Sequence, residues 1–150
     1  VQHMIMNGMD VTGDIRTPEI SQKASLISAH AIVRDMLLDM QREIAQQYDV
    51  IMDGRDIGTV VLPKATVKFF LTASPEVRAK RRTKELLEKG QKADYEKILK
   101  DIQQRDYQDT HREVAPLKMT RDSVKLDTSD MTIDEVIAAM KETIAKKVAP

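Results

Sequence analysis

A short apolar run that ends in alternating charges and glycines constrains this chain more than any other feature. Val50-Ile51-Met52 is followed directly by Asp53-Gly54-Arg55-Asp56-Ile57-Gly58. The apolar, β-branched start predicts a buried strand, and ligands of open α/β sheets bind just beyond the carboxyl ends of strands. Glycine clears space for a ligand, Arg55 offers a planar fork suited to phosphate, and Asp56 offers an acceptor. Judged alone, this stretch fits a ligand site and a solvated turn with an Arg–Asp ion pair equally well.

Local signals predict an alternation of strands and helices. Asn7-Gly8 predicts a hairpin. Thr17 and Ser74, each followed by proline, predict helix starts, as does Asp94, and Thr132 with Glu135 forms a capping box. The expected helices run from Thr17 to about residue 30, over 31–47, from Ser74 to about 90, from Asp94 to about 112, and from Thr132 onward; the expected strands are 50–52, 67–71 and 124–127.

This alternation predicts a parallel sheet with helical crossovers. Three strands are few for such a sheet, and the sequence begins at Val1 inside a possible strand. We therefore expect further β–α units upstream, in a longer protein.

Composition narrows the function classes. The chain has 150 residues, 41% of them apolar, which allows one domain with a sizeable core. Lys+Arg and Asp+Glu balance at 24 each, and aromatics are 3%, so a nucleic-acid polymer is a poor partner. The absence of cysteine excludes disulfides, thiol catalysis and a Cys-based zinc site. No apolar run approaches the roughly 20 residues that span a bilayer, so we expect a cytoplasmic protein without a membrane partner.

Two groups of charged residues are candidates for anion binding. Arg78, Arg81 and Arg82 lie at helical spacing, where like charges repel by about 0.2–0.5 kcal/mol; an anion would relieve this repulsion, and so would the nearby glutamates. The helix after Asp94 carries a face that begins apolar and ends charged, which indicates either entry into a cleft or an exposed end with intrahelical pairs. That face comprises Ile98, Ile102, Arg105, Asp109 and Arg112.

Other chemistries lack their motifs. The three histidines have no metal-ligand spacing, and no Ser–His–Asp pattern is present. A phosphate-binding loop needs G-x-x-x-x-G-K-[ST]; Gly8 and Gly13 have the glycine spacing, but Asp14 and Ile15 occupy the Lys and Ser/Thr positions. The sequence contains no P-loop.

Taken together, these motifs closely resemble bacterial cytidylate kinases, which are nucleoside monophosphate kinases. The resemblance is carried by Asp53–Pro63 and by the segments Asp10–Thr17, Arg105-Asp106 and His111–Leu117, and it extends from Met6 to the C-terminus. It implies a P-loop NTP hydrolase-like parallel sheet flanked by helices, here an incomplete core lacking its first β–α units. Residues 1–48 would belong to the monophosphate-binding region with its family insert, and residues 49–150 to the kinase core, with a lid at about 76–112.

The resemblance also implies roles for individual residues. Ser25, Arg34 and Asp56 would contact the cytosine edge, Arg55 and Arg112 the acceptor phosphate, and Asp109 with Arg105 the sugar and phosphates. The lid arginines would be Arg78, Arg81 and Arg82, with Arg82 the best candidate for charge on the transferring phosphoryl group. Asp53 would orient Mg²⁺ through water, and Gln108 occupies a position where some relatives carry arginine.

The implied activity is phosphorylation of CMP or dCMP by ATP with Mg²⁺, in a complete protein expected to be monomeric. These residues alone are expected to be nearly inactive because the P-loop is missing. The alternatives are a noncatalytic nucleotide-binding or regulatory fragment that retains the CMP pocket, and an RNA-binding module, which neutrality and scarce aromatics disfavour.

Overall fold

The computed structural model describes residues 3–148, and the chain divides into two compact units, residues 1–50 and 51–150. The motifs found in the sequence mark most of the helices and strands of both units. Each unit has its own architecture.

The first unit is a hairpin followed by two helices. Strands β1 (Ile5–Met6) and β2 (Met9–Asp10) pair antiparallel, and the Asn7-Gly8 turn has φ values of 50° and 81°, as a type I′ turn requires. A 3₁₀ turn (Asp14–Arg16) leads to helix α1 (Pro18–Ile27), and α2 follows (Ala31–Gln47). The hairpin and both helix starts are confirmed. Helix α1 ends three residues earlier than expected because His30 is already extended.

The second unit pairs two parallel strands and adds three helices. Strand β3 (Phe69–Thr72) pairs with β4 (Val124–Asp127), from Phe69 opposite Val124 to Thr72 opposite Asp127. The helices are α3 (Pro75–Glu88), which packs against α4 (Tyr95–His111), and α5 (Ile133–Val148). A π-helical turn (Ile57–Val61) precedes them. The parallel sheet is therefore confirmed, although it is small.

Side-chain caps start the helices of this unit where the sequence predicts them. Ser74 accepts a hydrogen bond from the amide of Val77 at 3.2 Å, and Asp94 accepts one from Lys97 at 3.1 Å. Before α5, Glu135 accepts from the amide of Thr132 at 2.7 Å, while the Thr132 hydroxyl accepts from the amide of Glu135 at 3.3 Å. The capping box is confirmed.

The predicted strand at 50–52 is wrong. Residues 49–53 have no regular secondary structure, and the side chain of Ile51 is 98% exposed. A strand is stabilised by hydrogen bonds to a neighbour, and within residues 3–148 the only partner of β3 is β4. The apolar run therefore stays extended, and the sheet has two strands instead of three.

The sizeable core that composition allows is also not formed by the described residues. Val61, Ala73 and Ala79 are the buried apolar residues of this part of the chain. The expected core face of α5 is partly exposed, most of all at Ile133 and Ile137. None of the helices between residues 3 and 148 is both long and apolar enough to cross a membrane.

Candidate functional site

The segment after Met52 folds into a tight turn that buries Asp56. A Cβ atom on Gly54 would lie 2.8 Å from Cγ1 of Ile57, so only glycine allows this close approach. The carbonyl of Asp56 accepts hydrogen bonds from the amides of Thr59 at 3.2 Å and Val60 at 2.8 Å, which begins the π-helical turn. π-Helical turns are rare in proteins, and those that do occur often lie at functional sites. The Asp56 side chain is shielded from solvent.

The C-terminal turn of α4 supplies a second buried carboxylate. Asp109 is 7% exposed, the same as Asp56. Its carbonyl accepts a hydrogen bond from the amide of Leu117 at 2.7 Å, which ties the following loop back to the helix. The face of α4 that begins with Ile98 and Ile102 therefore ends with one buried charge at Asp109, although Arg105 on the same face is exposed and pairs with Asp109 within the helix.

Three arginines surround these two carboxylates. Nε of Arg55 donates to Oδ2 of Asp109 at 2.8 Å, and Nε of Arg105 lies 3.9 Å from the same oxygen. The guanidinium of Arg112 lies 4.0 Å from Oδ1 of Asp109 and 3.9 Å from Oδ1 of Asp56. We call these five residues the Asp109 cluster. Residues that are 54 positions apart in sequence meet here.

The Asp109 cluster has an excess of positive charge. Three arginines against two aspartates leave a formal charge of +1 (3 − 2). The side chains of Arg55 and Arg105 are 42% and 44% exposed, whereas that of Arg112 is 13% exposed. Guanidinium groups bind phosphate and carboxylate through charge-assisted hydrogen bonds, so the two outer arginines can reach an anion while the carboxylates hold the inner parts of the cluster in place.

Arg112 is held by a strained loop. Its Nε donates to the carbonyl of Ala115 at 2.8 Å, and Nη2 donates to the same oxygen. Ala115 has a φ of 49°, a left-handed conformation that costs a non-glycine residue about 1–2 kcal/mol, and it precedes Pro116. Strain of this kind concentrates at binding and catalytic sites. The loop thereby sets the direction of the Arg112 guanidinium beside Asp56 and Asp109.

The arginines of α3 have partners of their own. Arg78 forms a two-pronged pair with Asp106 of α4, Arg81 donates to the carbonyls of Thr128 and Met131, and Arg82 donates to Glu85 at 2.7 Å. The relief of like-charge repulsion that was expected from an anion or from nearby glutamates is therefore supplied within the protein. Hydrogen bonds from Lys89 and Arg82 lower the pKa of Glu85 to about 2.

A groove of about 760 Å³ lies elsewhere in the second unit. Apolar side chains of β3 and α5 line it in part, and Arg78, Arg81 and Asp106 are among its other lining residues. Asp56, Asp109 and Arg112 are not among its lining residues. The groove and the Asp109 cluster are therefore separate features.

Ser25 and Arg34 belong to the first unit. The Ser28 hydroxyl donates to the carbonyl of Ser25 at 2.9 Å, and Nη1 of Arg34 donates to the carbonyl of Ser28 at 3.1 Å. The two predicted base-contacting residues thus lie near the end of α1 and near the start of α2, on either side of the turn that contains Ser28. Their contact with cytosine stays a prediction.

Sequence reasoning missed a buried cation. The Lys68 side chain is 7% exposed, and its Nζ donates to the carbonyl of Pro63 at 2.6 Å and to Oδ2 of Asp122 at 2.7 Å. The hydrogen bond from Lys68 is the largest cause that lowers the pKa of Asp122 to about 2. A lysine within a predicted strand was the signal that could have revealed it, because a buried lysine needs partners.

The described residues contain little that could hold a metal directly. Within residues 3–148, no group of three or more His, Cys, Asp or Glu side chains could hold a metal ion. Asp53 is exposed at the start of the turn that carries Arg55 and Asp56. Mg²⁺ is commonly held by one or two carboxylates, substrate phosphates and water, so a single exposed carboxylate fits contact through water and does not fit a protein cage.

The family model described as cytidylate kinase matches residues 1–146. A cytidylate kinase of Lactobacillus johnsonii is 53% identical over 146 residues, which are 97% of this chain and 64% of the relative. Those of Desulforamulus reducens and Clostridium tetani are each 49% identical, over 97% and 94% of this chain and 65% and 62% of their own lengths. The chain thus spans a little under two thirds of the relatives it matches. The resemblance predicted from the motifs is confirmed, and the chain belongs to the cytidylate kinase family.

Proposed function

We propose that this chain is the acceptor-binding and lid-bearing part of a kinase that transfers the γ-phosphoryl group of ATP to CMP or dCMP. The observation that carries the proposal is the Asp109 cluster, in which two buried carboxylates hold three arginines with a net positive charge. Membership of the cytidylate kinase family supports it. The wider fold would be a P-loop NTP hydrolase-like sheet to which upstream β–α units contribute, in a monomeric cytoplasmic protein.

The Asp109 cluster suits a nucleoside monophosphate because it contains both positively and negatively charged side chains. Arg55 and Arg112 would bind the acceptor phosphate, Arg105 and Asp109 would contact the sugar and phosphates, and Asp56 would accept a hydrogen bond from the exocyclic amine of cytosine. Ser25 and Arg34 would complete the base contacts. A buried acceptor discriminates well, because an analogue without the donor leaves the carboxylate without its hydrogen bond.

Phosphoryl transfer relies on positioning and electrostatic stabilisation, so no covalent nucleophile is expected from the protein. Arg81 and Arg82 of α3 would approach the phosphates when the lid region, about 76–112, closes and excludes water. Arg82 is the best placed for this role by its family position, and its present partner Glu85 would be exchanged for phosphate. Mg²⁺ bound to ATP would supply charge neutralisation, and Asp53 would accept a hydrogen bond from its water.

The base contact is tested by Asp56→Ala in a complete protein that carries these residues. Affinity for CMP should fall by about 10–100-fold, the equivalent of ~1.4–2.7 kcal/mol for a lost hydrogen bond to a charged group. Affinity for ATP should be nearly unchanged. Asp130→Ala removes an exposed carboxylate of the same unit and serves as the matched control. Equal losses for CMP and ATP would contradict the assignment of Asp56 to the base.

The dependence on a P-loop is tested with the 150-residue chain. Its sequence lacks G-x-x-x-x-G-K-[ST], so phosphoryl transfer from ATP to CMP should be nearly undetectable. Adding the N-terminal third of a relative in the same chain should restore activity. Robust turnover by the 150 residues alone would contradict the proposal.

A noncatalytic nucleotide-binding or regulatory role is the second candidate, and the missing P-loop motif favours it for these residues. Calorimetry with CMP, AMP and UMP separates the candidates. Selective CMP binding without turnover, even after the upstream part is supplied, would favour the noncatalytic role. An RNA-binding role would instead require RNA affinity that falls steeply with salt.

A further inference from the structure

The side chain of Arg78 is committed to protein acceptors on two elements. Its Nε donates to the carbonyl of Ala73 at 3.0 Å, Nη1 donates to Oδ1 of Asp106 at 3.0 Å, and Nη2 donates to Oδ2 of the same carboxylate. This is a planar fork-to-fork pair, the geometry that arginine forms and lysine does not. The hydrogen bonds that Arg78 donates to the Asp106 carboxylate raise the pKa of Arg78.

The three groups lie at a junction of the second unit. Ala73 directly follows β3, Arg78 lies in the first turns of α3, and Asp106 lies on α4. Ser74 caps α3 at the same place, which fixes the start of the helix that carries Arg78. The guanidinium of Arg78, on α3, therefore links the end of β3 to α4.

Asp106 lies between two members of the Asp109 cluster on the same helix. Successive helical residues turn by about 100°, so Arg105 and Asp109 both lie to the same side of Asp106, about 100° and 60° away from it. Holding the Asp106 carboxylate in one orientation sets the rotation of α4 about its axis. That rotation in turn decides whether Asp109 meets Arg55 and whether Arg105 lies near Asp109.

We infer that Arg78 is a positioning residue that locks the rotation of α4, and that it is not a phosphate ligand. It acts on the proposed nucleotide site through Asp106, without touching the nucleotide. The CMP-binding measurement that tests this inference rests on the proposed function. It differs from the family-based expectation that all three α3 arginines face phosphate, because Arg78 would have to break a two-pronged pair to reach one.

A double-mutant cycle in the 150-residue chain tests this inference. The variants are Arg78→Ala, Asp106→Asn and the pair of them, with Lys80→Ala as a control that removes one exposed positive charge from the same helix. CMP affinity is measured by calorimetry at a temperature where circular dichroism shows each variant folded. Each single variant should weaken CMP by about tenfold, and the double variant should lose no more than either, because the two residues act as one unit.

A ligand role for Arg78 gives a different pattern. If Arg78 bound phosphate, Arg78→Ala would weaken the nucleotide while Asp106→Asn would leave affinity unchanged or raise it by releasing the guanidinium. Arg78→Lys keeps the charge and loses the fork, so it should behave like Arg78→Ala under our inference. Retention of CMP affinity by Arg78→Lys would overturn it.

Hydrogen exchange of α4 separates failure of this inference from failure of the proposed function. Amides of residues 95–111 should exchange faster in both single variants, with no further increase in the double variant, whether or not CMP binds. Unchanged exchange in the single variants would overturn the lock. If the parent chain binds no CMP while exchange follows the expected pattern, the lock stands and the nucleotide site is rejected.

Discussion

Two groups of three arginines in the second unit use their charge in opposite ways. Arg55, Arg105 and Arg112 share two carboxylates, so their charge exceeds that of their partners. The arginines of α3 bind separate acceptors, which include Asp106, Glu85 and two backbone carbonyls. The first arrangement leaves charge to attract an anion, whereas the second mainly links structural elements.

The comparison shows that arginine spacing alone does not identify a ligand site. The α3 arginines have the more conspicuous pattern, yet their acceptors lie within the protein. The members of the Asp109 cluster are scattered over residues 55–112, and only their shared partners show that they form one group. The following predictions test this division, from the largest expected effect to the smallest.

Replacing the shared carboxylate should cause the largest loss. Asp109→Ala leaves Arg55, Arg105 and Arg112 without their common partner, and breaking a buried pair costs about 3–5 kcal/mol of folding free energy. Chemical denaturation of the 150-residue chain measures this loss. Glu96→Ala, at an exposed position of the same helix, is the control. A loss as small as that of the control would show that the cluster does not stabilise the second unit.

Arg112→Lys should weaken CMP binding while the chain stays folded. Lysine keeps the charge but cannot form the fork to the Ala115 carbonyl, so the cation moves away from Asp56 and Asp109. Calorimetry should show a loss of about 1.5–3 kcal/mol. Arg121→Lys, at an exposed position, is the control and should change nothing. Full CMP affinity in Arg112→Lys would mean that the direction of the guanidinium is unimportant.

Ala115→Gly tests the strain in the loop that directs Arg112. Glycine adopts a φ of 49° without the left-handed penalty, although it loses more entropy on folding. The net effect should be stabilisation by about 0.5–1 kcal/mol in chemical denaturation. Ala139→Gly in the middle of α5 should instead destabilise by a similar amount. Destabilisation in both variants would show that the loop stores no strain.

The smallest expected effect concerns Lys68, whose acceptors, like those of the α3 arginines, lie within the protein. The hydrogen bond from Lys68 is the largest of the causes that lower the pKa of Asp122 from 3.8 to about 2. A carboxyl whose pKa is lowered on folding stabilises the protein above its ordinary pKa, and this stabilisation is lost as the pH falls toward the folded value.

The temperature of thermal unfolding should therefore fall as the pH is lowered from about 4 to about 2. Asp122→Asn should make this pH dependence shallower. Asp130→Asn is the control, since Asp130 is exposed. Identical pH profiles for Asp122→Asn and the parent chain would contradict a stabilising Lys68–Asp122 pair.

Local structure was predictable wherever its cause lies within a few residues. The Asn7-Gly8 hairpin, the Thr17 and Ser74 caps and the Thr132–Glu135 capping box all depend on neighbours no more than five positions away. The strand at 50–52 was predicted wrongly because a strand also needs a pairing partner, which composition does not supply. Asp109 was predicted as a site residue from family resemblance, but its burial required the fold.

By itself, the sequence determined the starts of most of the helices, the parallel pairing of two strands, the family, and the residue types available for nucleotide binding. Only the tertiary structure decided which arginines share buried carboxylates, which ones link helices, and that Lys68 is buried. The physical reason is distance along the chain. Arg55 meets Asp109, and Lys68 meets Asp122, across 54 residues, and pairs so far apart leave no periodic pattern in the sequence.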